Sequence, residues 1–319
     1  MTRSSPAARP AGTPTRSGAA TRSGDPAAAE LLRTAALVGQ AIDRAAHRRT
    51  DPEWLDAAWR RCRVVVVDDN RALVTGEPPR LVLIGPGDAP EGDRLFLGVD
   101  PDAVPYFAVA AVLATVDGAR PASLRGVGAD LSPRDIDLFV AAAGLANWHL
   151  RYGYSPATGT PTRIGESGWV RTADDNALLF PRTDPAVIML VTDGEGGEDG
   201  RCLLGRGASW PEGRYSCLAG FVEPGESAEA TVAREVAEEV GLPVREVRYV
   251  TSQPWPYPGS LMLAFRALGD PGQPLSVDSA ELAEARWFTR AELRAMWAGR
   301  TPIRTSVAYT LMAGWLAES

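Results

Sequence analysis

The chain has 319 residues, 45% of them hydrophobic, and a formal net charge of −7, with a mean hydropathy of −0.12. That predicts two domains with real cores and excludes a membrane-spanning helix, because no apolar run approaches the roughly 20 residues needed; the acidic balance argues against a broad nucleic-acid surface. All 33 basic residues are Arg and only His47 and His149 are present, which excludes a P-loop lysine, a Schiff base and a His-rich metal site, and leaves a Ser-His-Asp triad poorly supplied.

Residues 1–28 are rich in Ala, Gly, Pro, Ser, Thr and Arg and lack the apolar stretch of a secretory signal, so they read as a disordered tail. A first domain is expected over 29–149. Val64–Val67, Leu81–Ile84 and Leu95–Gly98 look like its strands, separated by Asp-, Pro- and Gly-rich turns. Leu131–Leu150 reads as a helix with Ser132 as cap and Pro133 at its first position. A connecting segment, 150–180, leads to a second domain over 181–319. Its expected strands are Val187–Val191, Cys202–Leu204, Tyr215–Phe221, Val247–Thr251 and Leu261–Ala267, and a final helix is expected over Ser306–Leu316. The sequence gives no sign of internal repeats. Cys62, Cys202 and Cys217 are odd in number and lack metal spacing, which fits reduced thiols in a cytoplasmic protein.

Residues 220–242 carry the chemistry. Gly220, Glu226, Arg234, Glu235, Glu238, Glu239 and Gly241 stand at the spacing G-x5-E-x7-R-E-U-x-E-E-x-G-U, with Val236 and Leu242 as the bulky aliphatic U positions. From Ser227 to Val240 there is no Gly or Pro, so the stretch should be helical, entered by the Pro224-Gly225 turn and stopped at Gly241. Glu235, Glu238 and Glu239 then share one helix face at i, i+3 and i+4, where like charges repel unless a cation relieves them. Mg²⁺ and Mn²⁺ suit such oxygen ligands. A bare acidic helix face is usually only solvated; the accompanying Gly220, Glu226 and Arg234 argue otherwise. In this window the chain resembles the Nudix hydrolases, which implies metal-dependent hydrolysis of a nucleoside diphosphate linked to a second group. The resemblance makes Glu235 and Glu239 central metal ligands, Glu238 a further ligand or base, and the Ala219 carbonyl another ligand. It pairs Arg234 with Glu226 structurally.

Residues 252–260 read Ser-Gln-Pro-Trp-Pro-Tyr-Pro-Gly-Ser. They resemble the S-Q-P-W-P-F-P-x-S motif of the NADH pyrophosphatase branch, with Tyr257 in place of Phe. The three prolines stiffen the segment, and Trp255 and Tyr257 are candidates to stack on a base. By this resemblance Gln253, Pro254, Trp255, Pro256, Tyr257, Pro258, Gly259 and Ser260 contact substrate. Phe180, Ala308 and Arg125 match further substrate contacts, and Glu281 a further acidic metal ligand. The implied reaction is NAD(H) plus water giving nicotinamide mononucleotide and AMP. Removal of an NAD cap from RNA, cleavage of another dinucleotide such as ADP-ribose, and a non-catalytic nucleotide sensor are the alternatives. A homodimer is implied as well.

Many members of that branch carry a four-cysteine zinc ribbon between their domains. The matching positions here hold Ser155, Thr158, Thr172 and Asp175. Three hydroxyls and one carboxylate cannot form a structural zinc site, so no zinc is expected. Trp169 is a candidate anchor for a ribbon that folds through its own packing. The expected architecture is therefore α+β: a mixed α/β first domain, a degenerate ribbon, and an α/β/α Nudix sandwich.

Overall fold

The structure is a computed structural model that describes residues 37–299 and 303–318; the tail expected over 1–28 lies outside the described residues. The first half forms α1 (Pro52–Trp59), β1 (Arg63–Asp68), β2 (Arg71–Thr75), β3 (Arg80–Leu81), β4 (Leu95–Val99), β5 (Pro105–Ala110), β6 (Ala119–Ser123), α2 (Leu124–Val127) and α3 (Pro133–Arg151). A three-stranded sheet follows, made of β7 (Arg163–Gly165), β8 (Val170–Thr172) and β9 (Leu178–Leu179). The second half forms β10 (Asp184–Thr192), β11 (Arg201–Gly207), β12 (Leu218–Phe221), α4 (Ala228–Val240), β13 (Arg245–Trp255), β14 (Ser260–Leu268), β15 (Leu282–Thr289), α5 (Arg290–Gly299) and α6 (Val307–Leu316).

Period-two burial explains the second sheet. Val187, Met189 and Val191 of β10 face Val232, Val236 and Val240 of α4, while Ile188 and Leu190 face Leu311, Met312 and Trp315 of α6. A strand buried on both faces reads as a continuous apolar run, and β10 from Ala186 to Val191 is one. Its sheet order is β13-β14-β10-β11-β15, with β12 also on β10. The result is the expected α/β/α sandwich.

The first sheet repeats this plan, which the sequence did not announce. β1 pairs antiparallel with β2 and parallel with β5; β4 flanks β5 and β6 flanks β2. β10, β11, β14, β13 and β15 stand in the same relations. The difference lies after β3. Residues 82–94 hold only turns and an Ile84 bridge to Val64, where the second half inserts the acidic helix α4. The first sheet thus has the framework without the acidic helix. Its layers are filled by α3 on one face and by Trp54, Trp59, Phe96 and Phe107 on the other.

The predicted helix 131–150 appears as Pro133–Arg151, and the Ser132 side chain accepts from the Asp135 N–H as the cap reading requires. Leu81–Ile84 is shorter than expected: the ladder stops at Leu81 and resumes only at Ile84. β13 is longer, running through the Pro-Trp of the aromatic motif, so that Trp255 pairs with Ser260 and the motif becomes a hairpin.

Candidate metal and dinucleotide site

Helix α4 begins where Ser227 accepts from the Ala230 N–H and ends at Gly241, whose φ of +68° is costly for any residue with a Cβ. One face of this helix lies against β12. Gly220 of β12 sits so close to α4 that a Cβ there would overlap the Glu235 carboxyl group. Glycine at 220 therefore makes the space in which that carboxylate stands, and the adjacent Ala219 is held in register with Ile188 of β10.

Arg234 organises the window. Its Nε donates to Glu226 Oε1 at 2.7 Å and its Nη2 to Glu226 Oε2 at 2.9 Å and to the Phe221 carbonyl at 3.0 Å. Its Nη1 donates to Glu235 Oε1 at 2.9 Å and to Glu238 Oε2 at 2.8 Å. The Thr231 hydroxyl and the Glu223 N–H also donate to Glu226. This bidentate contact with Arg234 holds the Glu226 carboxyl down at about 2. The loop 221–226 is thus stapled to the helix, and three carboxylates meet beside it.

Glu235, Glu239 and Glu281 are those carboxylates. One oxygen from each lies within 4.8 Å of the others. Glu281 arrives from a distant loop. Ser276 and Asp278 donate their backbone N–H groups to the carbonyls of Val240 and Glu239, each at 2.9 Å, and Glu281 N–H returns to the Asp278 carbonyl. Those bonds occupy orphan carbonyls at the end of α4 and bring Glu281 beside its last turn. Glu235 and Glu239 are buried, at 8% and 5% exposure. Burial first, then the charges of Glu235 and Glu281, pushes the Glu239 carboxyl up to about 8. Glu235 is also raised, with burial outweighing the opposing pull of Arg234. Glu239 Oε2 has no hydrogen-bond partner among the described residues. A buried, unpartnered acceptor facing two further carboxylates is a site that a hard divalent cation would satisfy. Glu238 does not join the trio. Its side chain is 58% exposed and is taken by Arg234.

The second feature is a cleft of about 510 Å³ lined by Arg125, Tyr215, Trp255, Trp297, Ala308 and Tyr309, among others. Arg125 comes from α2 in the first domain, Trp255 from the motif hairpin, and Ala308 from α6. Gln253 does not face this cleft. It is fully buried, its Nε2 donates to the Thr305 carbonyl and its Oε1 accepts from the Val307 N–H, each at 2.8 Å. Tyr257 packs on the first domain's core, and its ring stands edge-on to Trp255 at 5.1 Å. Pro256 is buried and its carbonyl accepts from Asn147 at 2.8 Å. The Gly259 carbonyl accepts from the Asp184 N–H. Pro254 and Ser260 lie in the β13–β14 ladder and Pro258 is exposed at its tip. Phe180 is 62% exposed.

Residues 182–307 match the NUDIX domain, and residues 56–148 match the NADH pyrophosphatase-like rudimentary NUDIX domain. The NAD-capped RNA hydrolase NudC of Mycobacterium bovis is 40% identical over 311 residues, covering 90% of this chain and 96% of that one. The chain belongs to the Nudix hydrolases. Its branch within them is that of the NADH pyrophosphatases, whose rudimentary first domain accounts for the repeated sheet plan. The human NAD-capped RNA hydrolase NUDT12 is 38% identical over 201 residues, covering 58% of this chain and 43% of that protein. A solved Nudix hydrolase from Nitrosomonas europaea is 21% identical, with a TM-score of 0.39 over 50% of this chain and 90% of that one.

Two parts of this Nudix site escaped sequence reading. Trp210, Arg214 and Tyr215 line the cleft from the β11–β12 connection, where residues 210–214 carry no recognisable motif and Tyr215 was expected only as the first residue of a strand. Thr305 was missed because its role depends on Gln253 and Arg125, both far away in sequence. The ribbon positions are put to local use. Ser155 Oγ accepts from the N–H groups of Ala157 and Thr158 at 3.3 Å, and Asp175 Oδ1 accepts from the Ala177 N–H at 3.0 Å. Arg171 joins the segment internally, with Nε and Nη2 donating to Thr162 Oγ1 and the Thr162 carbonyl and Nη1 donating to His149 Nδ1. Trp169 donates its ring N–H to the Phe96 carbonyl at 2.7 Å and carries the Arg49 guanidinium over its ring.

Proposed function

We propose that this Nudix enzyme hydrolyses the diphosphate bond of NAD(H), giving nicotinamide mononucleotide (NMN or NMNH) and AMP. The observation that carries the reading is the trio of buried Glu235 and Glu239 with exposed Glu281, in which one carboxylate oxygen of Glu239 has no hydrogen-bond partner among the described residues. A divalent cation held there, Mg²⁺ or Mn²⁺, would neutralise diphosphate charge and acidify a water. The ligand set we assign is Glu235, Glu239, Glu281 and the Ala219 carbonyl. Glu238, exposed at the rim and held by Arg234, is the base or a peripheral ligand. Gly220, Glu226, Arg234 and Gly241 keep the carboxylates placed. Arg125 takes phosphate or ribose, while Trp255 and Ala308 wall the cleft and Gln253 fixes its floor. Phe180, together with exposed Leu178 and Phe221, supports a homodimer whose partner completes the nucleotide site. We divide the chain at 29–149, 150–180 and 181–319, take the ribbon to hold no zinc, and assign the protein to the cytoplasm; among the described residues no helix is long and apolar enough to cross a membrane.

The deciding experiment follows AMP and NMNH by chromatography after NADH is mixed with protein and Mn²⁺. Equal amounts of both are expected, and none with EDTA. Failure to release AMP under any divalent metal overturns the reading, and tight dinucleotide binding without turnover would install the sensor alternative. The names of the similar proteins favour one second reading, decapping of NAD-capped RNA. The ratio of kcat/KM on free NADH and on NAD-capped RNA separates the two, with ADP-ribose as a third substrate in the same assay.

A further inference from the structure

Tyr257 stands where the resembled motif has Phe, and its extra oxygen reaches the other domain. The Arg125 backbone N–H donates to the Tyr257 hydroxyl at 2.8 Å, across 132 residues of sequence. The opposite side of the same residue is held too: the Thr305 hydroxyl donates to the Arg125 carbonyl at 2.8 Å, across 180 residues. Arg125 lies in the first turn of α2, where backbone N–H groups have no helical acceptor. The Ser123 hydroxyl takes the Gly126 N–H, and Tyr257 takes its neighbour. Thr305 is itself fixed, because Gln253 donates to its carbonyl and accepts from Val307. Tyr257, Arg125, Thr305, Gln253 and Val307 therefore form one connected chain of hydrogen bonds joining α2, the motif hairpin and the start of α6.

The side chain so held is an available cation. The Arg125 guanidinium lies 4.5 Å from the Tyr257 ring centroid and 5.1 Å from that of Trp255. Arg125 is exposed. The cleft it lines also holds Arg214, and among the described residues no Asp or Glu lines it, although the whole chain carries −7. Such a wall suits an anionic ligand with aromatic rings.

We propose that Tyr257 and Thr305 are positioning residues, which clamp the Arg125 backbone from both sides and thereby present its guanidinium to the phosphate-bearing part of a dinucleotide. The substrate half of this inference rests on the NAD(H) reading above; the clamp does not. A neutral hydrogen bond contributes on the order of 1 kcal/mol, so losing one should weaken substrate binding about fivefold.

The test is a double-mutant cycle with NADH and Mn²⁺, joined to amide exchange. Tyr257→Phe should raise KM about fivefold and lower kcat much less. Thr305→Val should do the same, and Thr305→Ser, which keeps the donor, should recover the KM that Thr305→Val loses. In an Arg125→Ala background Tyr257→Phe should add nothing further, since its effect passes through Arg125. Independently of turnover, the Arg125 amide should exchange faster in Tyr257→Phe than in the parent. Additive effects in the cycle, or unchanged exchange at Arg125, overturn the clamp. A parent protein inactive on every dinucleotide overturns the substrate reading alone, and the exchange measurement still decides the clamp.

Discussion

Replacing Glu239 with Gln separates the burial cost of that carboxyl from its use. Its folded-state value is pushed up to about 8 from an ordinary 4.5. The metal-free fold therefore takes up a proton between those values. The stability linked to this group is fully present below about pH 4.5 and is lost as pH rises through 8. The full penalty above pH 8 is on the order of 3–5 kcal/mol. Gln keeps the shape and has no charge to desolvate. In EDTA, Glu239→Gln and the parent should melt close together near pH 5, and the variant should melt several degrees higher at pH 9. Mn²⁺ should reverse that order. The parent gains about 2.7 kcal/mol at a metal concentration 100 times its Kd, and the variant gains little. Turnover of NADH should fall roughly 10³-fold. The assay is thermal unfolding at pH 5, 7 and 9 with EDTA or Mn²⁺, alongside AMP release. Equal Mn²⁺ shifts in the two proteins, or a near-normal kcat in the variant, would refute the assignment of Glu239 as a ligand.

Three further outcomes follow from the site and the ribbon. Gly220→Ala places a methyl group inside the Glu235 carboxyl; kcat should drop about 10²-fold with an unchanged circular-dichroism spectrum, and full activity would mean that Glu235 need not stand there. Stripping zinc from the purified protein should alter neither Tm nor kcat, whereas Arg171→Ala, which removes its bonds to Thr162 and His149, should destabilise the ribbon by about 1 kcal/mol per bond lost; one tightly held zinc per chain by elemental analysis would contradict this.

The acidic helix was legible because its information is local. Ser227, the Ala- and Glu-rich run and Gly241 specify cap, body and stop within one stretch. The alternation that buries β10 on both faces is likewise local, as is the cap of the Pro133–Arg151 helix. Helical spacing also put Glu235, Glu238 and Glu239 on one face. It could not say which of them would turn toward a common point. Arg234, anchored by Glu226, draws Glu238 outward, and the backbone bonds between 276–278 and the end of α4 bring Glu281 in.

Sequence by itself thus determined the family, the acidic helix and the reaction class they imply, since each is written in short-range spacing. Tertiary structure alone decided the membership of the carboxylate trio, the inward turn of Gln253, the clasp of Tyr257 on Arg125 and the echo of one sheet plan in the other. Those depend on which distant segments meet when the core closes. Side-chain partners chosen across more than a hundred residues leave no periodic trace along the chain.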